Sequence, residues 1–186
     1  MEVRRLMRYV RIVFGFWLIL GLPQAHAEAP FFWEGGYGSV SFKVGAVRQG
    51  DLTRVTITPE GLSATNEPLV REIKGVVERA EVADLNADQN LELYVYAKSA
   101  GGSPTTSVIG FSVNNGKSMS DIYFPPLAED PKNSKGFSGN DDMAAVESAF
   151  VHRFPVQGTS KTRQLQFKLE QGEAGWIMVL DKAVEY

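Results

Sequence analysis

The sequence predicts a mainly β protein, a single-domain antiparallel β-sandwich with one short helix. Three observations predict it. Short stretches of β-branched and aromatic residues alternate with polar ones at period two. Turn signals separate these stretches at about ten-residue intervals, the spacing of sandwiches and closed barrels. No repeat, long linker or low-complexity tract divides the chain.

The chain opens with a different pattern. Arg4, Arg5, Arg8 and Arg11 precede the apolar run Ile12–Leu22, and Ala25-His26-Ala27 follows. A basic start, a short apolar core and a small-x-small end make a secretory signal peptide. The run is too short for a membrane anchor, since a spanning helix needs about 20 residues. The expectation is a signal peptide at 1–27 and an exported domain at 28–186. The arginine-rich start suggests bacterial export, hence a periplasmic protein with no membrane attachment after cleavage.

The strands follow in order. Phe31, Phe32 and Trp33 suit a first strand that covers the core. Ser39–Val47 and Leu52–Thr58 alternate cleanly, with Gln49-Gly50-Asp51 as the turn between them and Pro59-Glu60-Gly61 as the stop. Val70–Ala83 alternates loosely and reads as one long or two short strands. Leu91–Lys98 is the strongest strand in the sequence. Ser107–Val113 follows, and Asn114-Asn115-Gly116 tolerates the positive φ of a tight hairpin. Ser118–Phe124 can pair back. Pro125–Gly139 is a long polar loop. Asn140-Asp141-Asp142 then Met143–Val151 reads as the short helix, because early carboxylates satisfy free amides and Ala144, Ala145 and Ala149 favour helix. Gln164–Leu169 and Trp176–Leu180 are late strands joined through Gly172 and Gly175.

Composition excludes several functions. There is no cysteine, so thiol catalysis, thiolate metal sites and disulfides are absent. The leader holds four of the nineteen basic and one of the twenty-two acidic residues. The remainder then has fifteen basic against twenty-one acidic, a net charge of −6. Such a chain repels nucleic acid and anionic lipid and favours basic partners. No basic cluster forms a phosphate-tracking stripe. No P-loop, dinucleotide fingerprint or zinc spacing is present. A homodimer through an exposed edge strand is compatible with this class of fold.

Three constellations could carry function. Asp84, Asn86, Asp88, Asn90 and Glu92 place side-chain oxygens at alternate positions. A D-x-[DN]-x-[DN] loop can wrap Ca²⁺. Against this, Gln89 stands where such loops use glycine, and Val95 stands at the twelfth position. The same residues equally make a hairpin turn in which Asx side chains bond their own backbone. The second constellation is Ser99-Ala100-Gly101-Gly102-Ser103-Pro104-Thr105-Thr106, a small, uncharged loop between the two best strands. Binding function usually sits on loops offered by a rigid scaffold. The third is His152, the only histidine after the leader. A triad would need a serine and a carboxylate near it in space. Ser148, Asp141 and Asp142 are near in sequence only, so a surface or pairing role is expected. Glu129-Asp130 reads as a solvated turn and Asp141-Asp142 as a helix cap, rather than as glycosidase acids. With one histidine and no recognisable nucleophile, the chain is expected not to be an enzyme.

Several stretches resemble the bacterial periplasmic inhibitors of invertebrate-type (I-type) lysozyme. They are Val82–Asn86 leading into Glu92–Tyr96, Ser107–Gly116, Ile122–Leu127, Lys132–Ser134, Arg163–Leu169, Glu173–Trp176 and Val184–Tyr186. Together they span roughly residues 80–186, about two-thirds of the exported chain. The resemblance implies a β-sandwich that lodges a loop in a lysozyme active-site cleft. It places that loop after the strand equivalent to Leu91–Lys98, with an S-G-x-Y type motif whose serine and tyrosine reach the catalytic carboxylates. Here the loop has no tyrosine. Thr105 stands where the tyrosine is expected, Ser99 or Ser103 can supply a hydroxyl, and Pro104 stiffens the path. The tyrosine's role is not carried over to Thr105. The alternative expectation is a calcium-stabilised periplasmic β-domain with another partner and no effect on lysozyme.

Overall fold

The computed structural model describes residues 30–186, and the signal peptide expected at 1–27 lies outside them. Twelve strands form within this range. The first four are β1 (Phe31–Tyr37), β2 (Val40–Gln49), β3 (Leu52–Glu60) and β4 (Leu69–Lys74), an antiparallel meander in that order. The other eight are β5 (Val76–Ala83), β6 (Glu92–Lys98), β7 (Thr106–Asn114), β8 (Ser118–Tyr123), β9 (Asp142–Val146), β10 (Ala149–Pro155), β11 (Thr162–Gly172) and β12 (Gly175–Glu185). They make a second sheet of order β5-β6-β7-β8-β12-β11-β10-β9. Its β8–β12 pair is parallel, and every other pair in both sheets is antiparallel.

Gly75 separates the two sheets. The loose alternation of Val70–Ala83 is two strands, broken where Gly75 adopts φ +100°. A Cβ there would lie 2.3 Å from the Lys98 carbonyl oxygen, so only glycine lets the chain cross so close to β6.

Strand β6 explains its strength in sequence by its place. Leu93, Val95 and Ala97 face the four-stranded sheet and meet Phe42, Val44, Val55 and Ile57, all buried. Tyr94 and Tyr96 point the other way, into a second cluster with Phe150, Leu169 and Met178. Both faces are covered, so the strand reads as a nearly continuous apolar run. From β1, Phe31 and Trp33 pack on the first cluster, while Phe32 is 67% exposed on the outer face.

The second cluster shows how the large sheet closes. Phe150 on β10 lies 5.3 Å from Tyr94 and 6.2 Å from Tyr96, ring centroid to centroid. These strands are far apart in the sheet order, so the sheet curls round until its faces touch. Its edges then meet along a seam. The Ala145 amide of β9 donates to Glu81 Oε1 of β5 at 2.8 Å, and the Arg79 guanidinium donates to the Met143 carbonyl. Tyr96 Oη donates to Glu81 at 2.6 Å, and Arg79 stacks 3.7 Å above the Tyr96 ring. A barrel-like half therefore backs the four-stranded sheet, and side chains rather than a backbone ladder close it.

The helix expected over Met143–Val151 is a β-hairpin, β9 turning into β10 at Glu147, whose φ is +53°. A ten-residue helix is marginal alone. Alternation wins instead, because Met143 and Ala145 join the second cluster and Phe150 pairs with Phe167 of β11. The cap expected at Asp141-Asp142 is corrected with it: Asp142 starts β9 and Asp141 is buried. Among the described residues helix is limited to one 3₁₀ turn, Leu127–Glu129, inside the expected polar loop. No helix there is long and apolar enough to cross a membrane.

Candidate functional site

The Ser99–Thr106 loop joins β6 to β7, and its two ends are clasped. The Ser99 amide donates to the Thr105 carbonyl at 2.9 Å. The Thr105 amide donates to Ser99 Oγ at 2.8 Å, and the two hydroxyls lie 3.0 Å apart. Beyond this clasp Ala100, Gly101, Gly102 and Ser103 are exposed. A Cβ on Gly101 or Gly102 would meet nothing within 4 Å, so the tip stands clear of the body.

The segment before β9 holds the loop from beneath. The Asn140 amide donates to the Pro104 carbonyl at 2.7 Å. Gly139, at φ +86°, passes so close that a Cβ would lie 2.5 Å from the Ser103 oxygen. Asp141 is the anchor. Its Oδ1 accepts the Thr106 amide at 2.8 Å, and its carbonyl accepts the Thr106 hydroxyl at 2.9 Å. Lys98 Nζ donates to Thr106 Oγ1 at 2.7 Å and also to the Asp141 carbonyl. The remaining oxygen, Oδ2, bonds His152 Nε2 at 2.7 Å, with both side chains buried. Burial alone would push the Asp141 carboxyl up. The His152 ring and the Thr106 amide outweigh it and hold the group below the usual carboxylate value.

Of the four hydroxyls in the loop, three are spent internally. Ser99 and Thr105 face each other at the neck, and Thr106 is buried on Asp141. Ser103 is the hydroxyl exposed at the tip. Thr105, the position expected for a tyrosine, belongs to the clasp.

Of the surface or pairing role expected for His152, the structure shows pairing: the ring is buried, and Asp141, expected to be near in sequence only, is its partner in space. The available signal was parity: Phe150, His152 and Phe154 share a face, and all three are buried. Ser148 sits in the β9–β10 turn, outside the strand that carries His152.

The Asp84–Glu92 segment is a network of turns. Asp84 accepts the Asp88 and Gln89 amides, both at 3.0 Å. Asn86 Oδ1 accepts the Asp88 amide at 3.3 Å, and Asp88 accepts the Asn90 amide at 2.8 Å. Asn90 Oδ1 reaches the β7–β8 turn, accepting the Gly116 amide at 3.1 Å. Glu92 is fully buried and accepts the Leu85 amide at 2.8 Å. Burial pushes its carboxyl up to about 7, and Asp88 and Asp84 add to the rise. Among the described residues, no group of three or more His, Asp or Glu side chains is arranged to hold a metal ion. Gln89 adopts φ +66°, the conformation that glycine would take without strain. Gln89→Gly is expected to stabilise the fold by about 0.5–1 kcal/mol in a urea melt: the left-handed form costs a side chain about 1–2 kcal/mol, and the chain entropy that glycine loses on folding takes back about 0.5–1 kcal/mol.

No family model, curated protein or solved structure matches the chain.

Proposed function

We propose that the protein is a periplasmic inhibitor of lysozyme, with the I-type enzyme as its target. It binds without chemistry of its own, by inserting the Ser99–Thr106 loop into the active-site cleft. The observation that carries this reading is the build of that loop: an exposed, uncharged tip on a neck clasped by Ser99 and Thr105. A lysozyme cleft presents two carboxyl groups. Hydroxyl and backbone amide donors can bond them without burying a second charge. Pre-ordering at the neck lowers the entropy lost on binding. The short motifs over residues 80–186 support the same reading, and a net charge of −6 suits a basic target.

The test is a cell-wall lysis assay with the purified exported form against I-type, chicken-type and goose-type lysozymes. Selective inhibition of the I-type enzyme is expected. Gly102→Trp adds bulk at the open tip, where nothing meets a new side chain. It is expected to weaken inhibition at least 100-fold with an unchanged melting temperature. Full inhibition by this variant would sink the loop mechanism. No inhibition of any enzyme by the wild type at micromolar excess would sink the function.

A second reading, a calcium-stabilised domain with another partner, draws on one observation. Gln89 supplies the left-handed turn that calcium loops take from glycine. Its test is a melt at pH 8 with and without excess chelator. A fall that Asp84→Ala or Asp88→Ala abolishes would favour this reading, and an unchanged melt would dismiss it.

A further inference from the structure

We propose that the cavity inside the barrel-like half is a binding site for a small lipophilic amine. The cavity measures about 520 Å³. That lies within the roughly 300–1,000 Å³ range of small-molecule sites. Its wall is mainly apolar: Val108, Phe124, Phe150, Leu165, Phe167 and Met178 come from five strands or their ends. Pro125, Pro126 and Leu127 form one side of the mouth, with Leu180 among the other lining residues.

Two features give the occupant a polar end. His152 lines the cavity and is 5% exposed. Its Nε2 is held by Asp141, and an ionised carboxylate only accepts, so Nε2 carries the proton. In the neutral ring, Nδ1 is then an acceptor, and an N–H donor is the group that suits it. The second feature is charge. Glu129 and Asp130 line the same cavity beside Leu127, so an anionic head is disfavoured and a cationic one attracted. An apolar body with a donating, positively charged head is an alkylamine, which is protonated at neutral pH.

The probe is N-phenyl-1-naphthylamine, an arylamine uncharged at pH 8 whose fluorescence rises on burial; it reads the apolar body of the site, and its displacement by charged amphiphiles reads the head. One saturable site of micromolar affinity is expected. Dodecylamine should displace the dye at least tenfold better than dodecanoate. Leu180→Trp and Leu127→Trp place bulk at half-exposed lining positions and should each weaken dye binding at least tenfold without changing the melting temperature. Phe32→Ser, on the exposed face of the other sheet, should leave binding unchanged. The proposal is overturned if no saturable binding occurs, if both tryptophan variants bind like wild type, if Phe32→Ser abolishes binding, or if dodecanoate competes as well as dodecylamine.

Discussion

Asp141→Ala is expected to destabilise the protein by about 3–5 kcal/mol, because it leaves two buried groups unsatisfied at about 1–3 kcal/mol each and removes the bonds they made. For a domain of this size that lowers the melting temperature by about 10 °C. The substitution leaves the Thr106 amide and His152 without their acceptor, both in buried surroundings. Asp141→Asn is expected to cost less, about 1–2 kcal/mol, because its carbonyl can still accept from Thr106. The pH dependence follows from the lowered carboxyl. A depressed folded-state value means the stabilisation is complete above the ordinary value of 3.8 and is lost as pH falls through the folded one. Thermal melts of both variants from pH 3 to pH 7 check this. An alanine variant that melts within 2 °C of wild type, on the scale just given, would show that Asp141 is not the anchor.

Glu92 produces the opposite trend at higher pH. Its carboxyl is raised from 4.5 to about 7 in the folded protein, chiefly by burial. The folded state therefore holds a proton that the unfolded chain has released. Its contribution is complete below pH 4.5 and is lost as pH rises through about 7. The displacement corresponds to about 3 kcal/mol between those limits. Glu92→Gln is expected to remove this slope. The amide oxygen can accept from Leu85 and the amide nitrogen can donate to Ser112 Oγ, the two neighbours the carboxylate has now. The variant should be more stable than wild type at pH 8 by about 2–3 kcal/mol and equal to it near pH 5. Parallel stability curves for the two proteins across that interval would overturn the assignment.

The parts of the fold legible in sequence are those governed by neighbours in the chain. Asn114-Asn115-Gly116 turns because Asn115 and Gly116 accept φ of +51° and +66°. Strand β6 was legible because burial on both faces removes polar residues from it. The segment Met143–Val151 was not. Its alanines favour helix locally, and what overrides them is the pairing of Phe150 with Phe167 and the seam to β5. Neither partner can be read from the segment itself. The exposed tip of the Ser99–Thr106 loop was legible from its glycines and small residues. Its clasp and its anchor were not, since Asp141 meets Thr106 across 35 residues of sequence. The oxygens of Asp84–Asn90 were legible as a repeat. Whether they turn inward on an ion or onto amides depends on backbone angles at Ala87 and Gln89, both left-handed and neither signalled by glycine.

The seam between β5 and β9 also sets where this molecule opens first. Every other junction in the large sheet carries a ladder of backbone hydrogen bonds, whereas this one is held by Arg79, Glu81 and Tyr96. Parting it breaks a few side-chain contacts and leaves all the ladders intact. Amide deuteration should therefore reach β9 well before β10 and β11, because exchange follows the least costly local opening.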